Sequence, residues 1–338
     1  LGSCQNLICG AIMIETWRWF GPEDKVTLSD IRQTGASGIV TSLYHLEPGM
    51  VWKKEEISSR LAEISGSKSY PTNLSWQVVE SLPVSETIKT GSHPRDEHIK
   101  AWIESMENLS ELGIKVICYN FMPILDWTRT ELAAPMSSGA TAMYFDLLDF
   151  IAFDCFILER MDAQNDYEKQ LVDKAKHRFE GFSKEKKLIL SKNITAGLPG
   201  AGETLTFQEV KRRLEGYSGI DADKLRENLK YFLDAVVPTA EKLGVRLCCH
   251  PDDPPWPLLG LPRIMSTEED YNWLVNIHPS KANGITFCTG SLGTSFENDL
   301  PGMVSRMGQH IHFLHLRNVT REQESIPTSF YEDEHLSG

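Results

Sequence analysis

"RLCCHPDDPPWP", residues 246–257, joins the end of a predicted strand to a proline-rich loop. A short apolar run ends in two cysteines and a histidine, and the chain then enters a segment of acids and prolines that suits neither a helix nor a sheet. His250 therefore lies where a buried strand stops. Its imidazole is either packed in a core or is a ligand at the open end of a barrel.

The strand before His250 is one of seven predicted strands. Each is a short run rich in Val, Ile and aromatic residues, as buried parallel strands are. Amphipathic stretches separate the runs, and the clearest predicted helices are 27–38, 53–66, 98–113 and 222–244, the last with a kink at Pro238. The predicted strands are 17–20, 38–44, 74–81, 115–122, 246–250, 285–289 and 311–317.

This alternation predicts an α/β fold, a (β/α)₈ TIM-type barrel with right-handed crossovers. Residues 146–192 break the rhythm and are predicted to form a helical insertion on one loop. Seven strands leave the barrel one short, so the final strand region is expected to be missing from this chain. The glycine-rich segment 197–202 follows charged residues and is a weak signal for a phosphate loop.

Bulk composition restricts the class of protein. The 338 residues carry a formal charge of -13, which argues against a broad nucleic-acid surface. No run approaches the roughly 18 apolar residues of a membrane helix. Seven cysteines without regular spacing indicate reduced thiols and a cytoplasmic location. We expect residues 1–12 to be an extra segment before a natural start at Met13, and residues 13–338 to form one domain that is incomplete at its C-terminus.

Active sites of such barrels lie at the carboxyl ends of the strands. His250, Cys288 and His315 each close a predicted strand. Imidazole and thiolate are ligands of borderline divalent metals, and three ligands leave positions open for a substrate. The alternative is a buried thiol with two packed histidines. His310 and His312 fit a ligand role less well.

Polar and aromatic residues at the same strand ends are candidates for substrate binding. Arginine offers a planar fork that matches a carboxylate, although each arginine could instead pair with a structural acid. Glu80 is a candidate outer carboxylate orienting a ligand, with pairing to an arginine as the alternative. Asp252 and Asp253 are expected to be loop acids, with the alternative that either holds an imidazole in its ligating orientation. The substrate-binding candidates are Arg18, His45, Tyr119, Asn120, Trp127, Arg129 and Arg317.

Several motifs together resemble the mannonate dehydratase family from about Thr16 onward. They are "RWFGP", "GIVTSLYHLEPGMVW", "VVESLPV", "IKTG", "KVICYNFMPILDWTRTEL", "AGLPGA", "CHPDDPP", "TFCTGSLG" and "HFLHLRNV". The resemblance implies a barrel like that of xylose isomerase and the conversion of D-mannonate to 2-keto-3-deoxy-D-gluconate and water in glucuronate catabolism. It also implies a divalent cofactor, Mn²⁺ or Fe²⁺, held by His250, Cys288 and His315. The partner is then a small sugar acid, and we expect a homodimer that binds neither nucleic acid nor membrane.

The family pattern continues beyond this chain. In the family the final strand carries an Asp-His pair, and a Tyr follows it. These residues supply a further metal ligand and the acid–base group. The matching positions lie past Gly338, so the catalytic residues stay unassigned. A chain truly ending at Gly338 is expected to bind metal weakly and to be inactive. The alternatives are an aldose–ketose isomerase of the related barrel group, which favours carboxylate ligands, and a zinc-stabilised scaffold, which favours closely spaced cysteines.

Overall fold

The computed structural model describes residues 13–196 and 205–333. The glycine-rich segment 197–202 and the predicted extra segment 1–12 lie outside the described residues. Within the described part the chain forms thirteen strands: β1 (Thr16–Arg18), β2 (Gly38–Thr41), β3 (Gly66–Ser67), β4 (Tyr70–Pro71), β5 (Ser75–Glu80), β6 (Val116–Tyr119), β7 (Glu131–Pro135), β8 (Thr141–Phe145), β9 (Arg246–Cys249), β10 (Asn283–Cys288), β11 (Ile311–His315), β12 (Val319–Arg321) and β13 (Phe330–Glu332).

Seven of these strands form one parallel sheet, in the order β1-β2-β5-β6-β9-β10-β11. Each strand therefore pairs with the next one that the chain supplies to the sheet. All seven predicted strands are present, although several end earlier than predicted because their polar last residues lie in loops. The TIM-type barrel architecture is confirmed, with seven of its strands in the described residues.

The sheet is curled, so that distant strands meet across its interior. Glu80 at the end of β5 contacts Arg18 of β1 and His315 of β11, the two edge strands. Side chains alternate along each strand, and those on the inner face pack together beneath these polar contacts. This inner cluster contains Val40, Val78, Cys118, Cys248 and Phe313.

Helices cover the outer face of the sheet. Within the described residues the α helices are α1 (Leu28–Gln33), α2 (Lys54–Ser65), α3 (Glu86–Thr90), α4 (Arg95–Glu111), α5 (Leu147–Ala152), α6 (Lys169–Glu180), α7 (Lys184–Thr195), α8 (Phe207–Gly216), α9 (Ala222–Leu243), α10 (Glu268–Ile277), α11 (Thr289–Gly293) and α12 (Leu300–Met307). A π-helical turn spans Phe153–Ile157, and short 3₁₀ turns span Ala163–Asp166 and Gly308–His310.

Helix α9 illustrates how local sequence sets these elements. Asp221 caps its start by accepting a hydrogen bond from the Lys224 N–H, and Gly244 ends it in the left-handed conformation at φ 64°. Its inner face packs Phe232 edge-on against Trp102 of α4, with ring centroids 5.1 Å apart. The predicted kink at Pro238 does not divide the helix, which continues to Leu243.

The insertion between β6 and β9 begins with strands that the sequence reading missed. Strands β7 and β8 form an antiparallel hairpin, and β8 pairs with β13 in a four-stranded sheet ordered β12-β13-β8-β7. Helices α5, α6 and α7 follow; they occupy the predicted helical region 146–192, and α7 extends beyond it to Thr195. This second sheet brings Glu332 of β13 to two arginines near the carboxyl ends of the barrel strands.

None of the helices in the described residues is both long and apolar enough to cross a membrane. The extensive hydrophobic core lies between the parallel sheet and its helices.

Candidate metal centre

Three donor side chains converge at the carboxyl ends of β9, β10 and β11. His250 follows β9 directly, while Cys288 and His315 are register partners at the ends of β10 and β11. One ligand atom from each residue lies within 4.8 Å of the others. Parallel pairing explains the convergence, because residues that end adjacent parallel strands share one edge of the sheet.

The two imidazoles each have one nitrogen engaged elsewhere. Nδ1 of His250 lies 2.7 Å from the Pro251 carbonyl oxygen, which can only accept a hydrogen bond. Nε2 of His315 lies 3.0 Å from Oε2 of Glu80. The remaining nitrogens, Nε2 of His250 and Nδ1 of His315, face each other at 3.2 Å. These contacts fix which ring nitrogen of each histidine points into the site.

The thiol of Cys288 is fully buried yet electrostatically disposed to ionise. Burial opposes the thiolate, but Arg317, His315 and hydrogen bonds from the two histidines outweigh it and hold the pKa of Cys288 well below its usual value. The Ser291 backbone N–H donates to its sulfur at 3.4 Å. A thiolate is the form of cysteine that binds metals.

The ring of His315 lies beside two acidic groups, Glu80 and Cys288. Burial would lower its pKa, but the carboxylate of Glu80 and the sulfur of Cys288 raise it to about 10. Glu80 is itself buried, and despite that burial Arg18 and His315 hold the pKa of its carboxyl well below the usual value. The buried carboxylate of Glu80 thus faces Arg18 and His315, and the sulfur of Cys288 faces Arg317 and His315.

A divalent cation fits this donor set. Two nitrogen ligands of one ion stand about 3.0–3.4 Å apart for bonds of about 2.1 Å, close to the 3.2 Å between the facing ring nitrogens. Two imidazoles and a thiolate suit a borderline metal, and three protein ligands leave coordination positions open. The three ligands are far apart in the sequence, whereas closed structural zinc sites favour closely spaced cysteines.

The carboxylate of Asp253 accepts hydrogen bonds from residues around Cys288. This fully buried carboxylate accepts hydrogen bonds from Arg129 at 2.8 Å and from Arg317 at 2.7 Å. It also accepts one from the Ser291 hydroxyl at 2.9 Å. Although burial opposes ionisation, the two arginines hold the pKa of Asp253 far below its usual value. Asp253 therefore fixes Arg317 and Ser291, two of the groups around Cys288.

Gly290 provides the space that Arg317 occupies. A Cβ atom on Gly290 would lie 1.9 Å from Nε of Arg317, whereas one on Gly293 of the same short helix would meet nothing closer than 3.5 Å. A Gly290→Ala variant is therefore expected to displace Arg317 and lower the free energy of unfolding by about 1–3 kcal/mol. Gly293→Ala is the control variant. Denaturant titration of both variants measures the difference in stability, and equal unfolding midpoints for the two would contradict the prediction.

Arg129 does not fit the predicted role of binding a substrate carboxylate. Its side chain is fully buried, and its two terminal nitrogens are occupied by Asp253 and, at 2.8 Å, by Glu332. Its guanidinium lies 4.4 Å from the centre of the Trp127 ring, which is itself buried. Both residues belong to a buried cluster of ion pairs and aromatic rings, so the predicted substrate-binding role of Trp127 does not fit its burial either.

Tyr119 also lies away from the predicted substrate region. Strand alternation directs Cys118 to the inner cluster and Tyr119 to the outer face, where its ring packs edge-on against Phe232 at 5.7 Å. Asn120 is two positions after Cys118 and so falls on the same inner side, and its side-chain amide donates a hydrogen bond to Asp126 at 2.8 Å. His45 is half-exposed and pairs with Glu56 at 3.0 Å.

Arg18 retains capacity to bind an anion. One of its terminal nitrogens pairs with Glu80, while the other, Nη1, is buried without a hydrogen-bond partner in the described part of the chain. The buried hydroxyl of Tyr44, which the sequence analysis did not single out, lies beside Arg18 and Thr41. Ser291 was also missed, although its place in "CTGS" beside Cys288 was a usable signal. His310 and His312 lie outside the convergent group.

Comparison with known proteins gives one consistent family. A family model described as "D-mannonate dehydratase (UxuA)" matches residues 13–338. The chain is 50% identical to a protein named mannonate dehydratase 1 from Agrobacterium fabrum, over 96% of this chain and 80% of that protein. It is 49% identical to a mannonate dehydratase from Rhizobium meliloti, with the same coverage.

A solved structure agrees with these relatives. The crystal structure of mannonate dehydratase from Streptococcus suis serotype 2 superposes with a TM-score of 0.71 at 32% sequence identity, covering 95% of this chain and 76% of that one. None of these relatives is named as an aldose–ketose isomerase, so the comparisons give that alternative no support.

Proposed function

The chain belongs to the D-mannonate dehydratase family, and on that premise we propose that it dehydrates D-mannonate at a cation site formed by His250, Cys288 and His315. The enzyme is thus a hydro-lyase. The observation that supports this location is the approach of two imidazoles and a thiol from three successive barrel strands. Removal of water across carbons 2 and 3 gives an enol, which becomes 2-keto-3-deoxy-D-gluconate on moving one proton.

The reaction requires a negative charge to develop beside an existing carboxylate. The proton on carbon 2 is weakly acidic, and its loss delocalises charge onto the carboxyl oxygens. A bound divalent cation supplies Lewis-acid stabilisation of that charge. The chain's own residues hold the ligands in place and keep the sulfur of Cys288 ionised through Arg317 and the neighbouring imidazoles.

Arg18 is proposed to bind the substrate carboxylate. Its Nη1 is buried and unpartnered in the described residues, while its other terminal nitrogen is fixed by Glu80 close to His315. Arg317 is a weaker candidate, because Asp253 and Glu332 occupy its fork. Asn120 and His45 stay as proposed contacts to substrate hydroxyls.

An Arg18→Lys variant tests this assignment. Lysine retains a positive charge that can pair with Glu80 but lacks the second nitrogen of the fork. We expect the KM for D-mannonate to rise about 10–100-fold at saturating metal, as for loss of one hydrogen bond to a charged group. Steady-state kinetics at several metal concentrations provide the measurement, and an unchanged KM would contradict the assignment.

We propose Mn²⁺ or Fe²⁺ as the cation and glucuronate catabolism as the pathway, both on the family resemblance. A cytoplasmic location is supported by five buried free cysteines in the described residues, which suit a reducing compartment. A homodimer is proposed on the resemblance alone, and light scattering of the purified protein measures it.

The function is tested by stripping the protein of metal, with its natural termini intact, and assaying D-mannonate dehydration before and after addition of Mn²⁺ or Fe²⁺. We expect the metal-free protein to be inactive and one of the two ions to restore formation of the 2-keto product. Isomerisation of an aldose without loss of water would instead favour the isomerase alternative. Unfolding on metal removal would favour a structural role for the site.

A further inference from the structure

We propose that Glu80 is a positioning residue, which fixes the ring of His315 so that Nδ1 faces the cation. The proposal rests on the proposed cation site and adds a residue that acts on it indirectly. Glu80 lies at the end of β5, four places from β11 in the order of the sheet, and reaches His315 only because the sheet curls.

The contact between these residues is direct and buried. Oε2 of Glu80 lies 3.0 Å from Nε2 of His315, and the Glu80 side chain is 5% exposed. An imidazole nitrogen that donates to a carboxylate cannot bind a metal at the same time, so Nδ1 is the nitrogen left for the cation. That nitrogen is the one facing His250 at 3.2 Å.

Arg18 holds the carboxylate in turn. Its Nη2 pairs with the same oxygen, Oε2, that receives the hydrogen bond from His315. Glu80 therefore connects the proposed substrate arginine with a proposed ligand. Glu80 is not part of the convergent ligand group in the described residues, which contains His250, Cys288 and His315. Its role is thus to orient a ligand rather than to bind the ion.

The three ligands differ in how they are supported. The Pro251 carbonyl orients His250, and the Ser291 backbone N–H contacts Cys288. The support of His250 belongs to the backbone, whereas Cys288 is contacted both by the Ser291 backbone N–H and by the Ser291 hydroxyl at 3.3 Å. The support of His315 is a carboxylate side chain, so its contribution can be removed by substitution without altering the ligands themselves.

Two conservative variants of Glu80 separate the effect of side-chain length from the effect of charge. Glu80→Gln retains the length of the side chain and an acceptor oxygen for His315 but loses the charge that pairs with Arg18. Glu80→Asp retains the charge but is shorter by one methylene group and withdraws the oxygen from His315. If Glu80 positions His315, Glu80→Asp should lower the metal affinity more than Glu80→Gln does. If Glu80 acts only by balancing the charge of Arg18, Glu80→Gln should have the larger effect.

The measurement is a titration of metal-free protein with Co²⁺, followed by the visible and near-ultraviolet absorption of the bound ion. We expect Glu80→Asp to lower the Co²⁺ affinity about 10–100-fold, with altered d–d bands, and Glu80→Gln to lower it less than about tenfold. Circular dichroism checks that both variants are folded.

Glu86→Asp is the matched control. Glu86 is also a carboxylate in an ion pair, accepting from Lys89 at 2.9 Å and Tyr217 at 2.6 Å, but it contacts none of the three ligands. Its shortening should leave Co²⁺ affinity and spectrum unchanged. If the unaltered protein binds no Co²⁺, the proposed cation site is wrong. If it binds Co²⁺ and Glu80→Asp binds equally well with the same spectrum, the positioning role alone is wrong.

Discussion

A Cys288→Ser variant is expected to lose most of its affinity for a divalent cation while remaining folded. The electrostatic surroundings of Cys288 favour the thiolate, with Arg317 and His315 outweighing the effect of burial. A serine hydroxyl does not ionise at neutral pH and supplies a poorer ligand. The loss should therefore exceed the roughly 10–100-fold that follows removal of an outer partner of a ligand.

Cobalt absorption reports this change directly. The unaltered protein should show a sulfur-to-cobalt charge-transfer band in the near ultraviolet, and Cys288→Ser should not. Cys155→Ala is the matched control, because Cys155 is a buried free thiol in the insertion and lies outside the convergent group. A charge-transfer band that survives in Cys288→Ser and disappears in Cys155→Ala would refute the assignment of the sulfur ligand.

Substitution of Asp253 by asparagine is expected to cause a large loss of stability. Arg129, which is fully buried, and Arg317 both contact two carboxylates, Asp253 and Glu332, and the substitution removes the one that is fully buried. Breaking a buried ion pair by removal of one partner costs about 3–5 kcal/mol. We expect the free energy of unfolding at pH 7 to fall by about this amount, which urea denaturation measures.

The neighbouring Asp252→Asn variant is the control. Asp252 is equally buried, but its oxygen accepts from the Met265 N–H at 2.7 Å and the Ser266 hydroxyl at 2.9 Å, which an amide oxygen can also do. Its nearest arginine nitrogen is 4.0 Å away. We expect a loss below about 1.5 kcal/mol. Equal losses for the two variants would show that charge pairing at Asp253 is unimportant.

The pH dependence of the Asp253 effect has a definite sign. The folded-state pKa of this carboxyl is lowered, because Arg129 and Arg317 overcome the effect of burial. A lowered folded pKa gives stability that is complete above the unfolded value of about 3.9 and is lost as the pH falls further. The difference in stability between the unaltered protein and Asp253→Asn should therefore be constant near neutrality and shrink below about pH 4.

The barrel strands and the convergence of His250, Cys288 and His315 could be predicted from the sequence for a common reason. Buried parallel strands are continuous apolar runs, and the polar residue that ends each run marks the edge where sites form. Thus His250, Cys288 and His315 stood out individually, and parallel pairing brought them together. The same reading missed the sheet of β7, β8, β12 and β13, because Phe145 pairs with Phe330 far along the chain.

The roles of individual polar residues were harder to predict. Arg129 had the chemistry of a carboxylate binder, but its partner Asp253 lies 124 positions away and no local pattern connects them. Tyr119 ends a strand, but its side chain lies on the outer face of the sheet. Because side chains alternate along a strand, the inward position of its neighbour Cys118 implies this. Glu80 had two readings, and the structure contains both contacts, one with Arg18 and one with His315.

The central claim is that His250, Cys288 and His315 bind one cation. Crystals of the metal-loaded protein, measured on both sides of the absorption edge of the metal, provide the most direct test. We predict a single anomalous peak within bonding distance of Nε2 of His250, Sγ of Cys288 and Nδ1 of His315. A peak elsewhere, or a fully loaded protein with no peak among these three atoms, would contradict the claim.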